Sequence, residues 1–423
     1  MSLDWHRLKA VVIESDDWGL SAWAPDDQAA RVLADTPVWR STAGKHYGRS
    51  TLESADDVRT LARELLEIRG GDGFPPVLQA NTIMAAPDYA RLEPPQFEVE
   101  ELPLVTFPAT PSRWSRPGLW DAIAEAIALG VWWPELHGLH HLPAAAWLAA
   151  LRRGISDARR AHEQQSCVCE AVQASSEYDP SEPLELRHRN LAAAFDRFEH
   201  LFGRAPLSMC APDYRWDDAL ERDAEARGLL NFQGHGEREG RTAPRLQRFF
   251  RRMRFPDWNG RRFYLPPRIA FEPRGHAAPP GPAGRDAALR GASDAWGRGQ
   301  PAVVSTHRAN YAHLDPEWST NGRSALVDLV SRLSALGATF LVDAEVRALA
   351  EHGWSTRPIG DRAVLVRYHA APRTPIRIPA PSGVTGVVLG EIVAVAHAEL
   401  SFADGAAEVR LDPGEYLLEW RRD

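Results

Sequence analysis

Short apolar runs alternate with stretches of helical periodicity along most of the chain. Strand-like runs occur at residues 9–15, 76–83, 131–138, 207–212, 229–234, 302–308 and 338–342. Apolar positions three and four apart predict helices at residues 54–68, 118–129, 143–163, 186–202, 216–228, 321–336 and 344–352. Such alternation is typical of parallel strands joined by crossover helices. The pattern therefore predicts an α/β fold, a distorted (β/α) barrel of seven or eight units.

Two Pro-rich stretches, at residues 94–117 and 271–299, interrupt the alternation and are expected to be excursions over the barrel. After residue 358 the pattern changes to short alternating runs separated by Gly, Pro and Asp. These runs lie at residues 363–368, 374–378, 387–389, 392–398, 407–411 and 416–420. They predict a small antiparallel, β-sandwich-like accessory domain over residues 358–423, and residues 1–357 form the barrel domain.

Composition narrows the class of partner. The chain has 423 residues, 49 Lys and Arg against 57 Asp and Glu, and a net charge of −8, so we expect no nucleic-acid partner. A signal-peptide pattern and a run of about 20 apolar residues are both missing, so we expect a cytoplasmic protein without a membrane partner. Three cysteines, Cys167, Cys169 and Cys210, are too few for a disulfide framework. A small substrate is favoured, and a homo-oligomer is compatible with the sequence.

Two adjacent carboxylates end the first predicted strand. Asp16 and Asp17 follow the apolar run at residues 10–13, and the Trp-Gly-Leu-Ser after them is typical of a turn. In parallel α/β folds, ligands bind at the carboxyl ends of strands. Because adjacent negative charges that leave water need a metal or hydrogen-bond donors, we expect a functional site here.

Three histidines lie within five residues at the end of the run at 131–138, namely His137, His140 and His141. His137 and His141 are four residues apart, so a helical turn would put both on one side. Imidazole nitrogens suit first-row divalent metals, Zn²⁺ above all, and a carboxylate completes such a set. The segment therefore predicts a divalent-metal site, with zinc favoured.

Two more strand ends carry candidate groups. His307 ends the run at residues 302–308 and is a candidate general acid, because imidazole can deliver a proton near neutral pH. The run at residues 207–212 leads into Ala-Pro-Asp-Tyr-Arg-Trp, where Tyr214, Arg215 and Trp216 are placed to line a pocket. An ordinary strand–turn–helix junction explains this last pattern equally well.

The order of these motifs resembles that of the polysaccharide deacetylase family, the NodB-homology carbohydrate esterases. Members carry Thr-Phe-Asp-Asp-Gly, His-Ser/Thr-x-x-His and Arg-x-Pro-Tyr segments, then a late strand that ends in histidine. The corresponding segments here are Ser15-Asp-Asp-Trp-Gly19, His137-Gly-Leu-His-His141, Cys210-Ala-Pro-Asp-Tyr214 and Val304-Ser-Thr-His307. The string Asp-Asp-Trp-Gly-Leu-Ser is also similar to the Asp-Asp-Phe-Gly-Leu-Ser of chitooligosaccharide deacetylases. By order and spacing the resemblance covers most of residues 9–350.

The resemblance implies a zinc-dependent deacetylase that acts on an amino sugar or a related small carbohydrate or glycosylated metabolite. It implies that Asp17, His137 and His141 bind the metal. Asp16 would be the general base, and His307 would protonate the leaving amine.

The sequence departs from the family pattern at several positions. Trp18 stands before the glycine of the first motif and is expected at the pocket floor, and Cys210 replaces the arginine of the third motif. Either Arg215 or Arg308 is expected to substitute for that arginine, or the proton affinity of the base is set in another way. His140 is an alternative to His141 as the second imidazole ligand if the backbone there is not helical. The residues expected to contact substrate are Trp18, His140, Asp213, Tyr214, Arg215, Trp216 and Arg308.

Two other functions remain open from the sequence. One is a glycoside hydrolase on the same barrel, for which Asp213 is the visible second carboxylate. The other is a catalytically silent barrel that binds a carbohydrate or a partner protein, which the missing arginine favours.

Overall fold

The structure is a computed structural model that describes residues 3–172, 176–235, 238, 245–274, 283–390 and 398–422. The chain folds as a mixed α/β protein with a curled, mostly parallel sheet, followed by small antiparallel sheets. Within the described ranges, none of the helices has the length and apolar character that a membrane crossing requires.

The first part of the chain supplies twelve strands in the described residues. They are β1 (Ala10–Trp18), β2 (Leu78–Ile83), β3 (Ala85–Pro87), β4 (Leu104–Thr106), β5 (Trp132–Gly138), β6 (Ser208–Met209), β7 (Asn231–Phe232), β8 (Asp257–Asn259), β9 (Arg262–Tyr264), β10 (Arg268–Ala270), β11 (Ala302–His307) and β12 (Thr339–Leu341). The main sheet has the order β10-β11-β1-β2-β5-β6-β7-β9-β8, and β12 also pairs with β1. Its pairs are parallel except β8–β9, and β3 pairs with β4 in a separate two-stranded sheet.

The helices of the described residues are α1 (Trp5–Leu8), α2 (Asp27–Leu33), α3 (Pro37–Arg40), α4 (Thr42–Tyr47), α5 (Ala55–Leu66), α6 (Leu119–Ala128), α7 (Ala144–Arg152), α8 (Ser156–Glu163), α9 (Leu184–Phe202), α10 (Asp218–Ala226), α11 (Arg245–Met253), α12 (Arg285–Gly297), α13 (Pro316–Ala335) and α14 (Asp343–His352). Short 3₁₀ turns follow β6 at Pro212–Tyr214 and β11 at Arg308–Asn310.

Strand β1 is buried on both faces, which explains its continuous apolar run. Val11 and Ile13 pack in the cluster that contains residues of α5 and α13, whereas Ala10 and Val12 pack with β12 and α14. Successive side chains of a strand alternate between faces, so Glu14 and Asp16 continue the face of Ala10 and Val12. The inner face of the sheet therefore becomes charged towards its carboxyl edge.

The predicted α/β class with parallel strands is confirmed, and every strand-like run of the barrel region contains an observed strand. The predicted helix at residues 143–163 is two helices, α7 and α8, because Gly154 adopts a left-handed φ of +73° between them. The stretch at 271–299 is not wholly irregular, since it contains α12. Helices α1 to α4 and strands β3, β4 and β8 to β10 were not predicted, because segments this short show little periodicity. Helix α11 was not predicted either.

The C-terminal strands are β13 (Trp354–Ile359), β14 (Ala363–Tyr368), β15 (Pro375–Pro379), β16 (Gly386–Leu389), β17 (Ala398–Ala403), β18 (Ala406–Leu411) and β19 (Gly414–Arg421). They form antiparallel sheets of order β13-β14-β19-β16 and β15-β18-β17. The domain boundary predicted at residue 358 falls inside β13. Most of the predicted run at 392–398 lies outside the described residues, which resume at β17.

Buried arginines join these sheets to the rest of the protein. Arg367 of β14 contacts Glu345 of α14 and donates to Asp72 Oδ2 at 2.7 Å. Arg357 of β13 lies 3.2 Å from Glu345 Oε2 and donates to the carbonyl of Gly130 at 2.8 Å. All the charged groups of this network except Asp72 are less than 2% exposed.

Candidate metal and catalytic site

A cavity of about 180 Å³ opens at the carboxyl edge of the main sheet. Asp16 and Asp17 reach it from β1, His137 from β5 and His307 from β11, and Asp213 and Tyr214 reach it from the turn after β6. Because parallel strands all end at this edge, residues far apart in sequence meet there.

Asp17 faces two imidazoles across this cavity. Its Oδ1 lies 3.2 Å from His137 Nε2 and 3.6 Å from His141 Nε2. The pairing of β1 with β2 shifts register between Ser15 and Trp18, and Asp17 has a φ of +72°, so the strand bulges there. The segment after β5 is not an α-helix, and His141 reaches Asp17 through its own left-handed φ of +55°.

The hydrogen bond of His137 fixes which ring nitrogen faces Asp17. His137 Nδ1 lies 2.8 Å from the carbonyl oxygen of Cys210 and donates to it, since a carbonyl can only accept. The Nε2 lone pair of the neutral ring then points at the Asp17 carboxylate. Two acceptors at 3.2 Å repel one another unless a proton or a cation lies between them.

The electrostatics agree with this arrangement. Burial lowers the pKa of His137, but the carboxylates of Asp16 and Asp17 outweigh burial and raise that pKa well above its usual range. Burial raises the pKa of Asp17, but His137, His141 and His307 lower it by more. The pKa of Asp17 therefore lies well below its usual range. The site thus favours a carboxylate beside a positive charge.

Asp17, His137 and His141 fit a divalent cation. One donor atom from each lies within 4.8 Å of the other two, and the set of two imidazole nitrogens and one carboxylate oxygen matches the donors that zinc takes in catalytic sites. Donor atoms of Asp16, His137 and Cys210 also lie within 4.8 Å of one another. However, Arg268 occupies both oxygens of Asp16, so the set with Asp17 fits a cation better.

Arg268 is the main site residue that the sequence did not predict. It extends from β10, two strands from β1, and donates to Asp16 through Nη1–Oδ2 at 2.7 Å and Nη2–Oδ1 at 2.9 Å. Asn81 Nδ2 also donates to Asp16 Oδ1 at 2.6 Å. Burial raises the pKa of Asp16, but Arg268, then His137 and His307, lower it well below its usual range. Asp16 is therefore a fixed, ionised carboxylate.

His307 is oriented by a second residue that the sequence did not predict. His307 Nδ1 lies 2.5 Å from Glu272 Oε1, and Asn310 Nδ2 donates to Glu272 Oε2 at 2.7 Å. His307 Nε2 faces Asp16 Oδ2 at 3.9 Å. Burial lowers the pKa of His307, but Glu272 and then Asp17 and Asp16 raise it to about 9. The imidazole is thus protonated at neutral pH.

Arg308 contacts the backbone of the turn that carries Asp17. It is one of the two arginines expected to substitute for the family's motif arginine. Its Nε donates to the backbone oxygen of Asp17 at 2.8 Å and lies 3.7 Å from Glu53 Oε2. Glu53 Oε1 in turn accepts from the backbone N–H of Gly19 at 2.9 Å. The arginine that contacts Asp16 is Arg268, and Arg215 lies 3.9 Å from Asp179.

Asp213 and Tyr214 both line the cavity, and both have a φ of +54°. Non-glycine residues in this conformation are strained and concentrate at functional sites. Burial raises the pKa of Asp213, and it raises the pKa of Tyr214 to about 12. Tyr214 OH accepts from Arg268 Nη1 at 3.0 Å, so this turn contacts the group that holds Asp16.

Three other residues expected to contact substrate lie away from the cavity walls that the structure describes. Trp18 is 1% exposed and packs edge-on against Trp132, with ring centroids 4.5 Å apart, because the β1 bulge turns it to the helix-covered face. His140 is buried and lines a separate groove beside α9. Trp216 is buried and donates to Glu221 at 2.7 Å.

The remaining wall of the cavity is largely apolar and was not predicted. It includes Leu20, Trp23, Leu142 and Val168, with Tyr47 beside His307 at a ring-centroid distance of 6.1 Å. These residues come from loops and from α4, which carry no strand-end motif. Their meeting depends on the folded arrangement of several loops.

No protein-family model matches the sequence, and no curated protein matches it significantly. Among solved structures, a candidate polysaccharide deacetylase from Mycobacterium smegmatis is similar at 12% identity and a TM-score of 0.41, over 83% of this chain and 92% of that one. Agd3, a carbohydrate deacetylase, is similar at 11% identity and a TM-score of 0.36, over 97% and 65%. A GH57-type branching enzyme from Pyrococcus horikoshii is similar at 10% identity and a TM-score of 0.36, over 82% and 71%. Because all three TM-scores are below 0.5, the function has to be argued from the residues of this chain.

Proposed function

We propose that the protein is a metal-dependent hydrolase that removes an acetyl or other acyl group from an amino sugar or a related small carbohydrate-containing substrate. The observation that carries the proposal is the pair formed by His137 and Asp17. His137 Nδ1 donates to the Cys210 carbonyl, so that His137 Nε2 faces the Asp17 carboxylate at 3.2 Å. A cation between them satisfies both groups, and His141 offers the third donor.

In this proposal Asp17, His137 and His141 hold the metal, with zinc favoured by the donor set. When bound, a divalent cation supplies Lewis acidity, which lowers the pKa of water and polarises an acyl carbonyl. The two histidines are buried or half-buried, which limits competing ligands from solvent.

Asp16 and His307 divide the proton transfers between them. Asp16, ionised and held by Arg268, is the general base that takes a proton from the attacking water. His307, kept protonated by Glu272, is the general acid that delivers a proton to the leaving amine or alcohol. Their facing atoms are 3.9 Å apart, so both act on the same small volume of the cavity.

The walls of the cavity suit a small substrate with polar and apolar faces. Trp23, Tyr47 and Tyr214 supply aromatic surface against which the apolar face of a pyranose can lie. Asp213 supplies a polar group at the same opening.

A glycoside hydrolase is the second candidate, and Asp213 favours it. This carboxyl lines the cavity, and burial raises its pKa, as a general acid in glycoside hydrolysis requires. The two reactions differ in product, because deacylation releases a carboxylic acid and glycoside hydrolysis releases a new reducing end.

The test combines metal content with product analysis. We expect about one zinc or similar divalent ion per chain by elemental analysis, and acetate release from one or more of a panel of N-acetylated sugars and nucleotide sugars. His137→Ala should lose both the metal and the activity.

His140→Gln, a change at a neighbouring imidazole that lies outside the metal set, is the matched control and should retain the metal. Protein that takes up no divalent ion on soaking would refute the proposal, and reducing ends without acetate would favour the glycosidase.

A further inference from the structure

Helix α11 (Arg245–Met253) presents an apolar face to solvent. Leu246, Phe249, Phe250 and Met253 are 68%, 56%, 58% and 56% exposed. Their spacing of three and four residues puts them on one side of the helix. The other exposed large apolar side chains of the described residues, such as Leu336 at 45%, are scattered singly. A contiguous apolar face of this kind marks an interaction site.

The rest of the helix sequence is strongly basic. Residues 245–254 contain five arginines and no acidic residue, in a chain whose net charge is −8. The apolar positions 246, 249, 250 and 253 alternate with arginines at 245, 248, 251, 252 and 254. A short helix with aromatic and aliphatic residues on one face and basic residues at the others is typical of helices that lie in the interface of an anionic membrane.

The segment that contains α11 leaves and re-enters the main sheet at its carboxyl edge, where the cavity opens. The chain leaves the carboxyl end of β7 before this helix and re-enters at Asp257, the first residue of β8. Asp257 pairs with Tyr264 at the carboxyl end of β9, and its Oδ2 lies 3.9 Å from Nε2 of His235, which follows β7. Both ends of this excursion therefore lie at the edge where the cavity opens.

We propose that α11 docks the protein onto an anionic lipid surface. The apolar face enters the interface between headgroups and acyl chains, and Arg245 and Arg254 pair with lipid phosphates. Docking there brings the edge that carries the cavity close to the membrane. No membrane partner was expected, because the sequence has no apolar run long enough to span a bilayer, and a short interfacial helix needs no such run.

Vesicle co-sedimentation of the full chain tests the proposal. Vesicles of phosphatidylcholine with phosphatidylglycerol should bind the protein, vesicles of phosphatidylcholine alone should bind it much less, and added salt should weaken the binding. Phe249→Ser with Phe250→Ser should weaken partitioning at least about tenfold, because two exposed phenyl rings no longer enter the interface. Leu129→Ser with Leu336→Ser, which removes two exposed leucines from other helices, is the matched control and should bind like the wild type.

A second pair of variants separates the charge from the apolar face. Arg245→Gln with Arg254→Gln should weaken binding to anionic vesicles and leave the weak binding to neutral vesicles unchanged. The proposal is overturned if the wild type does not bind anionic vesicles, or if the serine pair binds as well as the wild type. It is also overturned if the chain forms a dimer that the serine pair dissociates while vesicles bind neither, since a second copy then covers the face.

Discussion

Arg268 of β10 and Asp16 of β1 form a bidentate ion pair, with N–O distances of 2.7 and 2.9 Å. Strand β11 lies between their two strands. Planar guanidinium and carboxylate groups that pair in this way fix each other's orientation as well as their charge. Asp16 therefore presents its carboxylate to the cavity in one orientation, although the residue that orients it follows 252 positions later in the sequence.

Replacing Arg268 should reduce kcat with little loss of metal. Arg268→Lys keeps the charge but cannot donate to both oxygens of Asp16, so the base is less well oriented and we expect a fall in kcat of about 10- to 100-fold. Arg268→Gln should be worse, because it also leaves Asp16 and Glu14 without their shared cation. Steady-state kinetics with metal analysis checks this. An unchanged kcat in both variants would show that Asp16 needs no orienting group.

Asp16→Asn should abolish turnover and leave the metal content near that of the wild type. The amide has nearly the shape of the carboxylate but cannot take a proton from water, and Asp16 is not in the proposed metal set. We expect a loss of about 100-fold or more in kcat. Full activity in this variant would mean that another group is the base. Asp17→Asn is the comparison, and it should lose metal as well as activity.

The alkaline limit of activity should depend on Glu272. His307 must be protonated to act as the acid, and its pKa is raised to about 9 chiefly because Glu272 outweighs burial. Activity should thus persist to about pH 9 and fall above it. Glu272→Gln removes that carboxylate, so the pKa of His307 falls and the alkaline limb moves to lower pH. A pH profile of kcat for wild type, Glu272→Gln and the exposed control Glu317→Gln measures the shift. An unmoved limb would exclude His307 as the acid.

The sequence predicts the strand ends well and the groups that orient them poorly. Asp16, Asp17, His137 and His307 each end an apolar run long enough to identify a strand, and parallel strands bring such ends together. Arg268 lies on a strand of three residues preceded by two prolines, and Glu272 lies in a stretch predicted to be irregular. Their partners are set by the order β10-β11-β1, which depends on long-range pairing.

Trp18 shows the limit of reading a motif as a linear string. Strict alternation along β1 would place it on the face of Asp16, at the pocket floor, but the bulge between Ser15 and Trp18 moves its indole into the core. Bulges of this kind arise from backbone geometry at Asp17 and are not visible in the pattern of apolar positions.

The junction between the main sheet and the C-terminal sheets should be sensitive to Arg367. This side chain is fully buried and neutralises both Asp72 and Glu345. Arg367→Met leaves the carboxylate of Asp72 buried without its cation, whereas Arg357 still pairs with Glu345. Because an uncompensated buried charge is strongly unfavourable, we expect unfolding to become easier by about 3–5 kcal/mol. Urea unfolding followed by tryptophan fluorescence measures this.

Arg422→Met, which removes an exposed pair with Asp361, should change stability by less than about 1 kcal/mol. Equal effects of the two substitutions would mean that the buried network does not hold the C-terminal sheets to α14.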